Sequence, residues 1–480
     1  MLNALFKKPG ILNWVSGLLL WTLIGGSAFG QQIRSIAGDG TFGFAGDGGQ
    51  APLGNLADPV GIYVDSLGTV YVADTNNRRI RKIDTSGVIT TVAGNGNFGF
   101  AGDGGQAIDA SLADPTDVFL DGQGNILVAD TNNQRIRKID PSGVITTLVG
   151  DGNSGFSGDG GQATVARVNF PTGLFVDAVG SIFFADRENH RIRKVDASGV
   201  ITTVAGNGIF GSSGDGGQAT AANLAFPTGV FVDGSGNVFI ADRFNHKVRK
   251  VDTLGVITTV AGNGAFGFFG DGGQATTANL AFPSDVHVDT SGNIYIADRD
   301  NHRVRKVTAS GVITTVAGDG TPAFGGDGAA ATLANLNRPS GIWANALGAI
   351  WVADTNNRRI RKVVAPLHLS SPAVGSVGQI SVLPSGEIPV MHVGLSGDGV
   401  TTLTQIQLTI SDLSSPTGLD ANDFSALRLY TSVDSVLDAG DLEVASLPIV
   451  PIGSVATLIP TGIVTPASET EHFFIVTAVL

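Results

Sequence analysis

A 56-residue period runs through this chain six times without an insertion or a deletion. One marker is an Ala-Asp pair, and a second is a Gly-Asp/Asn-Gly segment that keeps the same spacing. The paired aspartates are Asp74, Asp130, Asp186, Asp242, Asp298 and Asp354, and the leading glycines are Gly38, Gly94, Gly150, Gly206, Gly262 and Gly318. A fixed period of this size indicates stacked or radially arranged units, so it constrains the fold before any local argument.

Each repeat reads as four short strands. In the repeat that begins at Pro227, apolar runs span 228–233, 238–241, 247–251 and 256–261, most of them bounded by Gly, Asn or Asp. Connections of about four residues join antiparallel neighbours, because a parallel crossover needs about a dozen residues or more. Each unit is therefore predicted to be a four-stranded meander, and six of them predict an all-β, six-bladed propeller.

The two ends of the array predict how the ring closes. Residues Ile33 to Gly38 match a fourth strand but precede the first complete unit, whereas the sixth unit stops after its third strand, 359–364. The simplest arrangement pairs the N-terminal strand with the sixth unit, which would remove two exposed sheet edges. We therefore expect a propeller over residues 31–365 that is closed by its N-terminal strand.

The segments outside the repeats carry separate predictions. Residues 1–30 combine Lys7 and Lys8 with a short apolar stretch and small residues, the pattern of a secretory signal peptide. A secreted, periplasmic or cell-surface location follows, with no membrane span in the mature chain, and an uncut anchor is the alternative. Residues 366–372 read as a linker. The runs within 373–480 predict a small Ig-like β-sandwich, either minimal or cut short.

Composition excludes several classes of chemistry and partner. The chain has no cysteine, which excludes disulfides and thiolate-ligated zinc. It carries 29 basic and 42 acidic residues. Without Lys7 and Lys8 of the signal segment the balance is 27 against 42, a net charge of −15. An acidic, exported chain is a poor candidate for binding a phosphate backbone, so we expect no nucleic-acid partner.

The turn between the second and third strands carries a family resemblance. Residues 185–195 read Ala-Asp-Arg-Glu-Asn-His-Arg-Ile-Arg-Lys-Val, with close copies in the fourth and fifth repeats. This resembles the NHL repeat, although Arg191, Lys247 and Arg303 stand where that repeat has leucine. With its longer period, residues 33–364 resemble the NHL propellers of teneurins and of exported bacterial proteins. The resemblance implies a propeller but no single function, since such propellers include protein binders, RNA binders and some lyases.

Three recurring motifs have sufficient structural explanations. The Gly94-x-Gly96-x-x-Gly99 pattern satisfies a dinucleotide fingerprint, but without a strand–helix–strand unit it reads as a turn. In the Asp-x-x-Asn turn, the carboxylate is expected to accept turn N–H bonds and pair with an arginine, while Asn tolerates the left-handed conformation. His190, His246 and His302 lie one per blade, about 14 Å from the axis by strand spacing, too far apart to share one zinc ion.

The strongest ligand-binding candidates surround the channel mouth. Asp117 and Asp285 stand three repeats apart where other repeats have glycine, so they should face each other across the ring. They read either as solvated strand starts or as acceptors flanking an axial water, cation or sugar hydroxyl. Two positions on, His287 interrupts an aromatic series that we expect to pack blade against blade. That series is Tyr63, Phe119, Phe175, Phe231, His287 and Trp343.

One further cluster suggests a metal. Asp434, Asp438 and Asp441 resemble acidic loops of exported sandwiches, which makes calcium a candidate for a cofactor that is otherwise unknown, although the spacing of a full calcium loop is absent.

Meander topology places the second-to-third turns and the long insertions between repeats on one face. The insertions carry many phenylalanines, which we expect to clamp each loop onto its blade. The sequence therefore favours an exported binding or scaffold module, with a protein or glycan ligand on this loop face. The alternative is a metal-dependent propeller enzyme of the lyase or lactonase type, with its site near Asp117, Asp285 and His287.

Overall fold

The computed structural model describes residues 31–345 and 348–364 in full, and it describes the backbone of seven strands between 377 and 479. The chain divides into two compact units, Met1–Pro366 and Leu367–Leu480. The predicted signal peptide, residues 1–30, and the predicted linker, residues 366–372, lie outside the described residues. No helix in the described part of the chain is long and apolar enough to cross a membrane.

The first unit contains six four-stranded antiparallel sheets, one for each repeat. Blades one to three comprise β2 to β13: Pro59–Val64, Val70–Asp74, Arg79–Ile83, Ile89–Ala93, Pro115–Leu120, Ile126–Asp130, Arg135–Ile139, Ile145–Val149, Pro171–Val176, Ile182–Asp186, Arg191–Val195 and Ile201–Ala205. Blades four and five comprise β14 to β21: Val230–Val232, Val238–Asp242, Lys247–Val251, Ile257–Ala261, Asp285–Val288, Ile294–Asp298, Arg303–Val307 and Ile313–Ala317. The predicted all-β, six-bladed propeller is confirmed.

The sixth sheet joins the two ends of the repeat array. It contains β22 (Pro339–Ala344), β23 (Ile350–Asp354) and β24 (Arg359–Val363) from the last repeat, and β1 (Ile33–Ala37) from the start of the chain. β1 pairs antiparallel with β24. Its side chains at Ile33 and Ala37 are fully buried, in the cores on either side of the sixth blade.

The hydrophobic cores lie between neighbouring blades. One cluster combines Phe183 and Ile192 of blade three with Val230 and Ile240 of blade four. The alternation of side chains along each strand requires this arrangement, because both faces of every sheet pack on a neighbour. The cores are built almost wholly from Ala, Val, Ile, Leu and aromatic residues.

A closed circle of aromatic side chains occupies the propeller axis. Neighbouring ring centroids of the six-membered series that begins at Tyr63 are 4.5–5.1 Å apart, and Trp343 contacts Tyr63 to complete the circle. Phe119 and Trp343, the two neighbours of Tyr63 in the circle, are themselves 6.3 Å apart, so the rings pack closely against one another. The blade-to-blade packing expected of these residues is what the structure has.

The second unit consists of strands throughout its described part. A five-stranded antiparallel sheet has the order β25-β26-β31-β28-β29, and β27 pairs with β30. The strand bounds from β25 to β31 are Val377–Ser385, Ile388–Leu395, Ile406–Thr409, Phe424–Ser432, Leu442–Pro448, Val455–Leu458 and Glu471–Val479. An Ig-like sandwich stays a prediction for this unit.

Candidate functional site: the loop face of the propeller

The recurring Asp-x-x-Asn turn is the centre of a buried network in every blade. In blade one, Asp74 Oδ1 accepts the Ala57 N–H at 2.7 Å, and Asp74 Oδ2 accepts bonds from Asn77 and from Arg81. Arg81 is fully buried and makes a second ion pair with Asp47, 2.7 Å away, in the long insertion. The turn aspartates and their arginines therefore have a structural role, as their sequence pattern predicts.

The left-handed residue of this turn is not the asparagine. Arg78, the residue after Asn77, has a φ of 54°, and the same position has φ between 52° and 55° in the other blades. The asparagine instead reaches across to the insertion, where Asn77 Nδ2 donates to the Gly43 carbonyl at 2.6 Å. The expectation that Asn adopts the left-handed conformation is therefore wrong, because its amide is needed to anchor the loop.

Half of the insertion phenylalanines clamp their loops. Phe44 lies with its ring 3.7 Å from the Arg79 guanidinium, and four equivalent phenylalanines stack at 3.7–3.8 Å in the same way. In blade four both members of the pair differ: Lys247 stands at the arginine position, Ser212 stands at the phenylalanine position, and the lysine donates a hydrogen bond to the serine at 2.9 Å. This inner set fits the expected clamping role.

Phe269 aside, the other phenylalanines lie on the loop face with more than half of each residue in solvent. They occupy one repeat position, where blade three has Ser154 and blade six has Pro322. Between 56% and 60% of each of these residues is exposed: Phe42, Phe98, Phe210 and Phe266. We call these four the rim phenylalanines. They are the largest apolar groups that the propeller presents at corresponding positions of one face, and no core uses them.

The three histidines of the NHL-like turns join neighbouring blades. His190 Nδ1 accepts the Phe226 N–H at 3.3 Å, His246 accepts from Phe282, and His302 accepts from Arg338. Burial lowers the pKa of each imidazole below its ordinary value. Each histidine therefore has a packing role, in agreement with the rejection of a shared zinc ion.

Asp117 and Asp285 are partly buried and are linked to the adjacent blade. Asp117 Oδ2 accepts the Leu174 N–H at 2.6 Å, and Asp285 Oδ2 accepts the Ile342 N–H at 2.9 Å. Burial raises the pKa of Asp117 to about 7, whereas burial and then the charge of Asp117 raise the pKa of Asp285 well above its usual range. The two carboxyl groups thus interact across the ring, but each has a structural partner. A ligand role for them stays a prediction.

His287 is enclosed by the aromatic circle. It is 5% exposed, with its ring centroid 4.5 Å from those of Phe231 and Trp343. Burial lowers its pKa to about 3, so the imidazole is neutral at physiological pH. Its Nδ1 atom is buried and has no hydrogen-bond partner among the described residues.

The structure does not assemble these residues into a metal centre. Within residues 31–345 and 348–364 there is no group of three or more His, Asp or Glu side chains placed to hold a metal ion. The predicted calcium ligands Asp434, Asp438 and Asp441 lie outside the described residues.

Blades three to five carry arginines that the sequence analysis did not single out. Arg187, Arg243 and Arg299 follow the turn aspartate, where blades one, two and six have threonine. Arg187 pairs with Glu188 at 3.6 Å, and Arg299 pairs with Asp300 at 2.9 Å. The sequence itself shows this difference, because three blades have arginine and three have threonine at the same repeat position. The blades with arginine are also the blades with histidine in the turn.

An open cavity adjoins these arginines. It has a volume of about 420 Å³ and is lined by Phe266, Asp300, His302, Pro322, Asn337, Arg338 and Asn356. Arg338 lies 3.3 Å from Asp300, which also pairs with Arg299. The cavity therefore borders Arg299 through the shared ion-pair partner Asp300.

Comparisons with known proteins agree with the repeat architecture. The family model described as the Teneurin NHL domain matches residues 39–100, 97–157, 151–213, 208–268 and 267–323. Mouse Teneurin-4 is 32% identical over 352 residues, which cover 65% of this chain and 12% of that protein. The chain thus spans a small part of the curated relatives that it matches.

Two solved structures from Bacteroides thetaiotaomicron share the fold. A protein of unknown function has a TM-score of 0.52 and an auxiliary nutrient binding protein has a TM-score of 0.50, both at 18% identity and 69% coverage of this chain. The matches cover 75% and 76% of those chains. Because the repeats from residue 39 to residue 323 match its model, this chain belongs to the Teneurin NHL domain family.

Proposed function

We propose that this protein is an exported binding module whose propeller holds a protein or glycan ligand on its loop face. The observation that carries the proposal is the set of rim phenylalanines, each more than half exposed on the same face. Large exposed apolar surfaces on soluble proteins mark interaction sites, and these four side chains put such surface at corresponding positions of one face. The buried networks beneath them hold the insertions in place, so the surface is rigid before a ligand arrives.

A solved structure with the same fold supports this proposal. The auxiliary nutrient binding protein shows that a propeller of this fold occurs in a protein described as a binder. We also propose the domain organisation and location expected from sequence, with a signal peptide over residues 1–30, a linker over 366–372 and a C-terminal sandwich over 373–480.

The experiment compares two faces of the same propeller. The purified full chain is screened on glycan and extracellular-protein arrays, beside a variant with all four rim phenylalanines replaced by serine, the residue that blade three has at this position. The control variant replaces Leu67, Val179 and Leu254, which are 75–80% exposed in turns that meander topology places on the opposite face. We expect the rim variant to lose its array ligands while the control keeps them. Equal binding by both variants would reject the loop face.

A further inference from the structure

We propose that the loop face of blades three to six contains a binding site for an anionic saccharide, centred on Arg243. The inference deepens the proposed function and rests on it, because it names the ligand class for the same face. Arg187, Arg299 and Arg338 surround the centre, and the cavity beside Arg338 would hold a neighbouring sugar ring.

The repeat fold does not require these arginines. In blades one, two and six the equivalent residue is threonine, and its hydroxyl donates to the first-strand proline carbonyl of the next blade. These bonds measure 2.7–2.8 Å, from Thr75 to Pro115, from Thr131 to Pro171 and from Thr355 to Pro59. The turn has the same backbone conformation in all six blades. Arginine in three blades therefore replaces an available structural contact with a positive charge.

Arg243 has no anionic partner within the described part of the chain. Its neighbours Arg187 and Arg299 pair with Glu188 and Asp300. Arg243 is followed by Phe244 and forms no ion pair within 4 Å among the described residues, and Asp300 acts on it only from a longer distance. Its Nε atom is buried without a hydrogen-bond partner among the described residues. Burial, followed by the charges of Arg299 and Arg187, lowers the pKa of Arg243 to about 10, which still leaves it charged at neutral pH. Four guanidinium groups thus share two carboxylates, and the excess positive charge lies at Arg243.

The surroundings of the arginines favour a sugar over a bare ion. Phe244 is 39% exposed and packs between Phe226 and Phe282 at centroid distances of 4.9 and 5.0 Å. The cavity adds the exposed ring of Phe266 and the side-chain amides of Asn337 and Asn356. Aromatic faces pack on the apolar faces of sugars, amides bond to hydroxyls, and a guanidinium matches the two oxygens of a carboxylate. A cavity of about this volume is in the range that holds a small ligand.

The test separates charge from sugar recognition. Calorimetric titration of the full chain uses a trimer of galacturonic acid and its fully methyl-esterified counterpart, in which a neutral methyl ester replaces each carboxylate. We expect the acid to bind at least tenfold more tightly than the ester. Arg243→Thr should weaken binding of the acid about tenfold, and the triple threonine variant that includes Arg187 and Arg299 should abolish it. A charge-matched control, K82T/K138T/K250T, removes three charges from third strands and should bind normally.

Each result decides the inference. Unchanged melting temperatures would confirm that the threonine variants fold, as expected for the residue that three blades already have. Equal affinity for acid and ester, or equal loss in the control, would overturn it. An acidic peptide or RNA oligomer that needs Arg243 while the uronate does not bind would also overturn it. If an array ligand depends on the rim phenylalanines but no acidic sugar binds, this inference fails and the proposed function stands.

Discussion

At the scale of single residues, the departures from the repeat divide into those whose side chains only fill space in the fold and those that also leave a charge without an anionic partner. His287 belongs to the first kind, because its ring fills an aromatic position between Phe231 and Trp343. Arg243 belongs to the second, because its charge has no anionic partner in the described structure. A residue that departs from the repeat is therefore not functional for that reason alone. Its contacts in the structure decide whether it fills a packing position or remains available to a ligand.

His287 leads to a prediction about acid stability. Because its pKa in the folded protein is about 3 and the ordinary value is 6.5, the unfolded chain binds a proton in this interval that the folded chain does not. Its neutral burial therefore contributes stability above pH 6.5 that is lost as pH falls, roughly 3 kcal/mol by pH 4. His287→Phe restores the residue of blades two to four and should lose less stability on acidification. Thermal melts of both proteins between pH 7 and pH 4 measure the difference, and parallel curves would contradict it.

At the scale of strands, the repeat period predicts the positions of Asp117 and Asp285 but not their contacts. Their opposition across the ring follows from a spacing of three repeats, and the effect of the Asp117 charge on the pKa of Asp285 agrees with it. Their hydrogen bonds cannot be predicted from the period, because the donors, the Leu174 and Ile342 N–H groups, belong to the next blade. Gly61 and Gly229 show the same dependence, since a Cβ atom at either position would collide with the neighbouring aspartate. Contacts between blades depend on how closely neighbouring strands approach each other in space, and the spacing of repeats along the chain does not specify this distance.

Replacing both aspartates with glycine should therefore cost more than a surface substitution. Each change leaves a backbone N–H without its acceptor, which costs about 1–3 kcal/mol. Because the pKa of Asp117 is raised to about 7, its favourable contribution is largest below pH 4 and declines as pH rises through 7. The loss in the double variant should accordingly be greater at pH 5 than at pH 8, measured by denaturant unfolding. Asp109→Gly, an exposed aspartate in an insertion, is the control. No loss at either pH would mean that water replaces the carboxylates.

At the scale of the whole molecule, the sequence predicted the architecture well and the candidate site only in part. The blade count, the strand order and the role of Asp74 follow from the period and from turn chemistry. The cluster of Arg187, Arg243 and Arg299 was not predicted, because the sequence shows an alternation of arginine with threonine at one repeat position but not which charges come together in space. The cavity beside Arg338 was not foreseeable, since it forms between side chains of the fifth and sixth blades and the insertion loops.

Because β1 pairs with β24, we predict that the N-terminal strand stabilises the closed ring of blades. Deleting residues 31–38 would remove the fully buried Ile33 and Ala37 and leave the hydrogen-bonding edge of β24 open. An unpaired edge is a template for association with another chain. We expect a large fall in melting temperature and concentration-dependent oligomers in size-exclusion chromatography. A synthetic peptide with the sequence of residues 31–38 should restore both properties in trans, because an added strand supplies the same backbone bonds. A monomeric deletion variant that melts at the original temperature would show that six blades close without this strand.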